Sequence, residues 1–225
     1  MGFDKILLRA DAQGVWVILV SGEIEMDFYH FYHGTQIGGL TELRPIASPN
    51  SNLKEAVVYL STRRQVALHY ASNYKNLPFS SPMLNIQDDV LIYQEMYSGA
   101  LELSCKGVSG YIYHCIGGIG EYEMSEHHGV KSCAVSYEPV PVADVEYIAD
   151  IYEEVMQYKN QGKLIYEKYE ELPRWRLDII RGYVMRALKA DDILNNPQHP
   201  HYLSFREKFP RYWQEAEVLD SHGLL

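Results

Sequence analysis

Short apolar runs separated by loops, with one helical stretch, occupy the first 140 or so residues, and beyond Asp144 the apolar positions take a helical spacing. The run Gly14-Val15-Trp16-Val17-Ile18-Leu19-Val20 predicts one strand, and it lacks the basic start and small-residue cleavage site of a signal peptide. Met26 to His33 predicts the first strand of the fold proper, so residues 1–25 are expected to be an extension that the fold can spare. From Thr35 to Ser51 the chain is rich in Gly and Pro with Ile37, Leu40 and Leu43 as apolar anchors, which predicts a loop holding at most one helical turn. Ala56 to Leu60 predicts a short buried strand. Thr62 is placed to cap a following helix that ends at Tyr70 or Asn73, with Val66, Ala67 and Tyr70 on one face.

Met83-Leu84-Asn85-Ile86 and Val90-Leu91-Ile92-Tyr93-Gln94-Glu95 flank Asp88-Asp89 and predict a hairpin. Ser98 to Leu103 fits a short helical turn, and Gly110 to Cys115 a strand that ends in the loop Gly117-Gly118-Ile119-Gly120. The acidic, histidine-bearing segment 121–129 is expected to be mobile, and Ser132 to Val142 to be a strand made irregular by Pro139 and Pro141. Beyond Asp144 the spacing of Val145, Ile148, Ile151, Tyr152 and Val155 predicts a helix over 145–161 closed by Gly162. Leu164-Ile165-Tyr166 fits one last strand. Two more helices are predicted, over 173–194 with an interruption at Gly182, and over 197–217 with Phe205, Phe209, Tyr212 and Trp213 as the apolar face. The expected organisation is an α+β chain: the extension 1–25, a β-rich domain 26–143, and a helical C-terminal extension 144–225.

Composition narrows the function classes. A length of 225 residues suits one domain with an appendage, and no run of eighteen apolar residues predicts a membrane span. The 20 basic against 30 acidic residues give a formal charge of -10, and the basic ones are scattered, so a nucleic-acid partner is not expected. Cys105, Cys115 and Cys133 have an odd count and no CxxC spacing, which fits a reducing cytoplasm better than a disulfide framework or a zinc site. The 19 tyrosines are too many to bury without partners for their hydroxyls, so many of them are expected to be amphipathic wall or surface residues.

Candidate chemistry concentrates in Phe31-Tyr32-His33-Gly34-Thr35, Tyr59-Leu60-Ser61-Thr62 and the helix ending in Ala67-Leu68-His69-Tyr70-Ala71. His127-His128 with His114, Glu121, Glu123 and Glu126 shows no HExxH or fixed pair spacing, and no metal is expected there. Neither Ser109 nor Cys115 sits in a nucleophile elbow, and the 117–120 glycine run is followed by no helix pattern, which excludes a dinucleotide fingerprint.

In their order and spacing the His-Gly-Thr strand, the Tyr-Leu-Ser-Thr strand and the Ala-x-x-Tyr-Ala helix resemble the ADP-ribosyltransferases of the diphtheria-toxin and poly-ADP-ribose-polymerase type, in a bacterial branch. The resemblance covers roughly Phe31 to Pro141. It implies a split β-sheet, NAD as substrate, and transfer of ADP-ribose to a protein or small-molecule acceptor. It further implies that the His33-Gly34-Thr35 strand holds the NAD ribose and the nicotinamide amide, with His33 on the adenosine-side ribose and the Gly34 backbone on the carboxamide. Tyr59 and Tyr70 would then stack on the nicotinamide, and Ser61 would line the pocket. The family's catalytic carboxylate stands on a later strand, for which Glu138 in Ser136-Tyr137-Glu138-Pro139 is the first candidate and Glu123 and Glu126 the others; Pro139 marks Glu138 as near a strand end. The rival expectation is a catalytically silent interaction module of the same fold, whose sticky face is the aromatic helix of Phe205, Phe209, Tyr212 and Trp213.

Overall fold

The computed structural model describes residues 7–10, 15–19, 26–47, 53, 55–74, 83–87, 90–118, 122–127, 130–190 and 192–223. Strands β1 (Leu7–Ala10), β2 (Val15–Leu19) and β3 (Met26–Thr35) form an antiparallel meander in which Val15 lies opposite Tyr29 and Ile18 opposite Met26. The remaining length of β3 is used on its other edge, where residues 28–35 pair with β8 (Gly110–Gly118), which in turn pairs with β12 (Asp144–Ile148). Beyond β2 the first edge of β3 meets β5 (Val58–Ser61) at one residue pair, Tyr32 with Ser61. β5 pairs along its whole length with β10 (Val130–Ser136), and β10 with β9 (Glu123–His127). Two half-sheets therefore meet at Tyr32 and part directly after it.

Helix α1 (Arg64–Ala71) lies on one face of β3 and β8. It buries Val66, Ala67, Leu68 and Ala71 in an apolar cluster with Ile112, Ile151 and Val155. The opposite face holds a second cluster of Phe31, Val58, Leu60, Tyr113, Cys115, Ala134 and Val140. It is covered by the loop after β3 and by the short pair β4 (Glu42–Leu43) and β11 (Val140–Pro141). A smaller sheet joins β6 (Met83–Gln87) and β7 (Val90–Gln94) antiparallel, with β13 (Leu164–Glu167) added parallel to β7. The buried Glu95 carboxylate just past β7 accepts the Leu101 and Tyr169 amides at 3.0 and 3.2 Å, tying this sheet to α2 (Ala100–Cys105) and to the turn Tyr169–Glu171. Helices α4 (Arg174–Ala190), α5 (Tyr202–Lys208) and α6 (Pro210–Ser221) enclose a third cluster with Met96, Tyr97 and Leu172. Among the described residues no helix is long and apolar enough to cross a membrane.

The α+β class stands, and several local expectations change. The segment 144–148 is a strand and not the start of a helix: Val145 and Tyr147 alternate with Glu146 and Ile148, and β8 offers an edge that satisfies their backbone. The helix that follows, α3 (Ile151–Asn160), begins where the Asp150 carboxylate accepts the amides of Tyr152 and Glu153, a cap worth about 1 kcal/mol. Strands β12 and β13 thus put part of the supposed helical extension inside the two sheets. The N-cap position of α1 is Arg63 and not Thr62, and the Arg63 amide is held by Ser61 Oγ at 3.0 Å. The stretch 35–51 contains β4 and a bridge between Ile46 and Val57 where a helical turn was allowed, and residues 48–52 lie outside the described set. Segment 121–129 supplies β9, and β8 continues through Gly117 and Gly118; the turns at 88–89 and 119–121 lie outside the described residues. α4 runs unbroken through Gly182, whereas the predicted helix 197–217 is two, because Pro210 starts α6 after the non-helical Phe209.

The β1–β2 hairpin pairs only with residues 26–29 of β3, and the described buried clusters are built from Tyr29 onward. A chain starting at Met26 is expected to keep a single cooperative thermal transition at a lowered Tm, by circular dichroism. A non-cooperative melt would make the hairpin an integral part of the fold.

Candidate functional site

Strand alternation puts Phe31, His33 and Thr35 on one face of β3 and Tyr32 and Gly34 on the other, and the burial of Phe31 beside Val58 and Leu60 identifies the first face. His33 stands where β3 loses β5. Its Nδ1 lies 2.8 Å from the Tyr59 carbonyl, so the imidazole spans the gap that backbone pairing leaves. A carbonyl only accepts, so Nδ1 carries the proton in this contact. Gly34 lies directly beneath α1, where an added Cβ would sit 1.7 Å from the Ala67 carbonyl oxygen. Thr35 Oγ1 accepts the Ile37 amide at 3.2 Å and turns the chain out of the strand. The loop is then pinned by Tyr113, whose hydroxyl donates to the Ile37 carbonyl and accepts the Leu40 amide.

Because Val58 and Leu60 are buried with Phe31, Tyr59 and Ser61 of β5 face the α1 side. Ser61 is buried, paired across the strands with Tyr32 on one side and Cys133 on the other. Tyr70, in the last turn of α1, packs with its ring 5.6 Å from that of Tyr74 and 5.1 Å from that of His69. Burial pushes its phenol well above the usual range, and the neighbouring Cys133, Tyr74 and Tyr59 push the same way. The structure therefore gathers Tyr59, Ser61, Tyr70 and Cys133 at one place, and His33 reaches the same place from the other face through the Tyr59 backbone.

Glu138 is not part of that group. Cys133 pairs with Ser61 and Val135 with Tyr59, so a thiol and an isopropyl group occupy the β10 positions beside the tyrosines. Glu138 is exposed in the turn beyond Ser136, three residues past Val135, about 10 Å along the strand direction. Ser136 Oγ causes this: it donates to the Glu138 carbonyl and accepts its amide at 3.2 Å, closing a small loop that ends β10. Glu123 and Glu126 lie on β9, with Glu123 in register with Val135, and their side chains lie outside the described residues. Counting alternation back from Ser136 would have pointed to Cys133.

A second polar cluster, on the Tyr32 side, was missed because its members are spread over more than ninety positions. Arg64, at the start of α1, donates through Nε and NH2 to both Glu146 oxygens at 2.8 and 2.7 Å, and through NH1 to Glu154 at 2.8 Å and Tyr158 OH at 2.9 Å. Burial alone would depress the guanidinium, but its bonds to Glu146 and Tyr158 more than offset that and raise it above its usual range. His114 Nε2 lies 3.8 Å from Glu146, and the His114 ring meets that of Tyr32 edge-on at 5.0 Å. His30, nearby, is lowered by burial and by His114. The cluster joins α1, β12 and α3 into one unit.

The chain matches no protein-family model, no curated protein and no solved structure.

Proposed function

We propose that the chain is an ADP-ribosyltransferase-like protein that binds NAD where the two half-sheets part, using His33, Gly34 and Thr35 of β3, Tyr59 and Ser61 of β5 and Tyr70 of α1. The observation that carries this reading is the His33 Nδ1 contact to the Tyr59 carbonyl at the split between β3 and β5, with Tyr70 beside Tyr59. A histidine whose ring is oriented by its neighbour strand can meet a ribose hydroxyl, and two phenol rings hold a flat pyridinium at low entropic cost. Cleaving the nicotinamide–ribose bond develops oxocarbenium character, which needs a carboxylate near the sugar. Glu138, in the exposed turn past β10, is the carboxylate this reading would draw on, with the acceptor a protein or small molecule. A second reading, binding of NAD without transfer, is favoured by the register that puts Cys133 and Val135 next to the tyrosines.

Thermal shift and NAD hydrolysis on the native chain, His33→Ala and Glu138→Gln separate these. NAD at a hundredfold excess over its Kd is expected to stabilise the native chain and Glu138→Gln by about 2.7 kcal/mol and His33→Ala far less. Hydrolysis by the native chain and not by Glu138→Gln supports transfer. Binding without hydrolysis selects the second reading, and no shift in any of the three removes the nucleotide.

A further inference from the structure

The aromatic helix expected to be an interaction face is not one: Phe205, Phe209, Tyr212 and Trp213 are at most 3% exposed, packed against Ile180, Val184 and Leu188 of α4. A strand edge is open elsewhere. Among the described residues β12 pairs with β8 and with no other strand, so it ends the main sheet on that side. Edge strands are commonly blunted by lysine, proline or a break in register. β12 has none of these: it reads Asp144-Val145-Glu146-Tyr147-Ile148, and its register with β8 is unbroken. Its two faces differ. Val145 and Tyr147 lie opposite Tyr113 and Tyr111, on the face away from α1, and are 46 and 58% exposed. The Tyr147 ring stands 5.3 Å from that of Tyr111, which is backed by the Gly38 main chain, where an added Cβ would lie 2.6 Å from the ring. On the other face stand Asp144 and Glu146, followed by Asp150, Glu153 and Glu154 at the start of α3. Between Lys131 and Lys159 the chain holds no lysine, arginine or histidine. Among the described residues the one lysine or arginine paired with any of these carboxylates is Arg64, which serves both Glu146 and Glu154. Five carboxylates against one guanidinium leave the edge strongly negative.

We propose that β12 takes up an extended basic segment of another protein as an added strand of the main sheet. Main-chain hydrogen bonds hold such a strand, and the side chains beside the edge select it. Cross-strand neighbours lie about 5 Å apart. Residues of the added strand beside Asp144 and Glu146 are therefore lysine or arginine, and those beside Val145 and Tyr147 are apolar, so the segment alternates between the two kinds. The Val145 amide, held in the free chain by the Asp144 carboxylate at 2.8 Å, passes to a carbonyl of the added strand and releases Asp144 to the incoming cation. A second copy of this chain does not meet these needs. Its own β12, laid antiparallel with Val145 against Tyr147, would set Glu146 opposite Glu146, and each copy carries a formal charge of -10. The proposal is independent of NAD.

The probe is a fluorescently labelled heptapeptide of alternating lysine and valine, followed by anisotropy as the full chain is added to about 1 mM at low salt. It is expected to bind. The same residues rearranged as a block of lysines followed by a block of valines are expected to bind about tenfold more weakly, because the charge is kept and only the alternation is lost. Tyr147→Lys puts a cation on the edge and removes the exposed ring, and Asp144→Lys reverses one charge there. Each is expected to weaken binding of the alternating peptide about tenfold with the native Tm kept, since both side chains are exposed. No binding of the alternating peptide overturns the proposal. Equal binding of the block peptide overturns it too, since a negative surface alone would do that, as does binding that both substitutions leave intact. A native chain that sediments as a dimer at about 200 μM, and as a monomer once Tyr147→Lys is made, would give the edge to a second copy and overturn the choice of partner.

Discussion

Gly34→Ala is expected to destabilise the chain by about 3 kcal/mol or to abolish folding, at the upper end of what added methyl groups cost in packed interiors. The new Cβ would lie 1.7 Å from the Ala67 carbonyl oxygen, 2.7 Å from its carbon and 2.9 Å from the Ala71 amide nitrogen. All three atoms belong to the backbone of α1, so no rotamer change relieves the clash. The helix would have to lift off β3, and it carries Val66, Ala67, Leu68 and Ala71, each essentially fully buried, so lifting it opens the largest apolar cluster on that side of the sheet. Gly39→Ala is the control. Gly39 has a φ of +77° and open space around its Cβ position, so alanine there meets only the left-handed backbone penalty of about 1 kcal/mol. Urea unfolding of the two variants measures the difference. A Gly34→Ala chain within 1 kcal/mol of Gly39→Ala would mean that α1 is not seated on β3 as described. The same glycine that the resemblance assigns to a ligand is thus demanded by packing alone, and its presence does not by itself argue for NAD.

The sheet-forming segments were legible where a short β-branched or aromatic apolar run met no competing pattern, as at Val15–Leu19, Met83–Gln87, Val90–Gln94 and Leu164–Glu167. Legibility failed where one stretch fits two periods. Val145, Ile148, Ile151, Tyr152 and Val155 are a good helical series, yet only the last three are helical, because the free edge of β8 and the Asp150 cap divide the run between them. The split between β3 and β5 is a tertiary event with no local signature. His33, Tyr59, Ser61 and Tyr70 could be picked out one by one, but the tie from His33 to the Tyr59 carbonyl, and the place of Cys133 among the tyrosines, depend on cross-strand register. Glu138 stands apart from the tyrosines for a short-range reason that Pro139 already hinted at: the chain leaves β10 at Ser136. The buried aromatics of α5 and α6 show the limit of composition. Four aromatic side chains in one segment say that it has an apolar face and nothing about whether that face is covered.

Replacing Arg64 by methionine is expected to cost about 2–3 kcal/mol at neutral pH, less than the 3–5 of a fully buried broken pair because Glu146 keeps part of its contact with water. The substitution keeps most of the stem volume but leaves Glu146 and Glu154 with no cation between them. The loss carries a pH signature. Glu146 is held below its ordinary 4.5, first by the hydrogen bond from Arg64 and also by the charges of Arg64 and His114, against the opposing effect of burial. A carboxylate whose folded pKa is depressed contributes stability above its unfolded pKa and loses it as the pH falls through the folded value. The gap between the native chain and Arg64→Met is therefore expected to be widest at and above pH 6, where Glu146 is ionised in both states, and to close as the pH drops below about 4.5. Arg64→Lys should fall between the two, since it keeps the charge but cannot make the paired donation to both Glu146 oxygens. Chemical denaturation at stepped pH reads this directly. A gap of constant size from pH 3 to 7 would show that Arg64 holds α1, β12 and α3 together by the packing of its stem on Tyr158, whose ring lies 5.5 Å from the guanidinium carbon, and not by the ion pair.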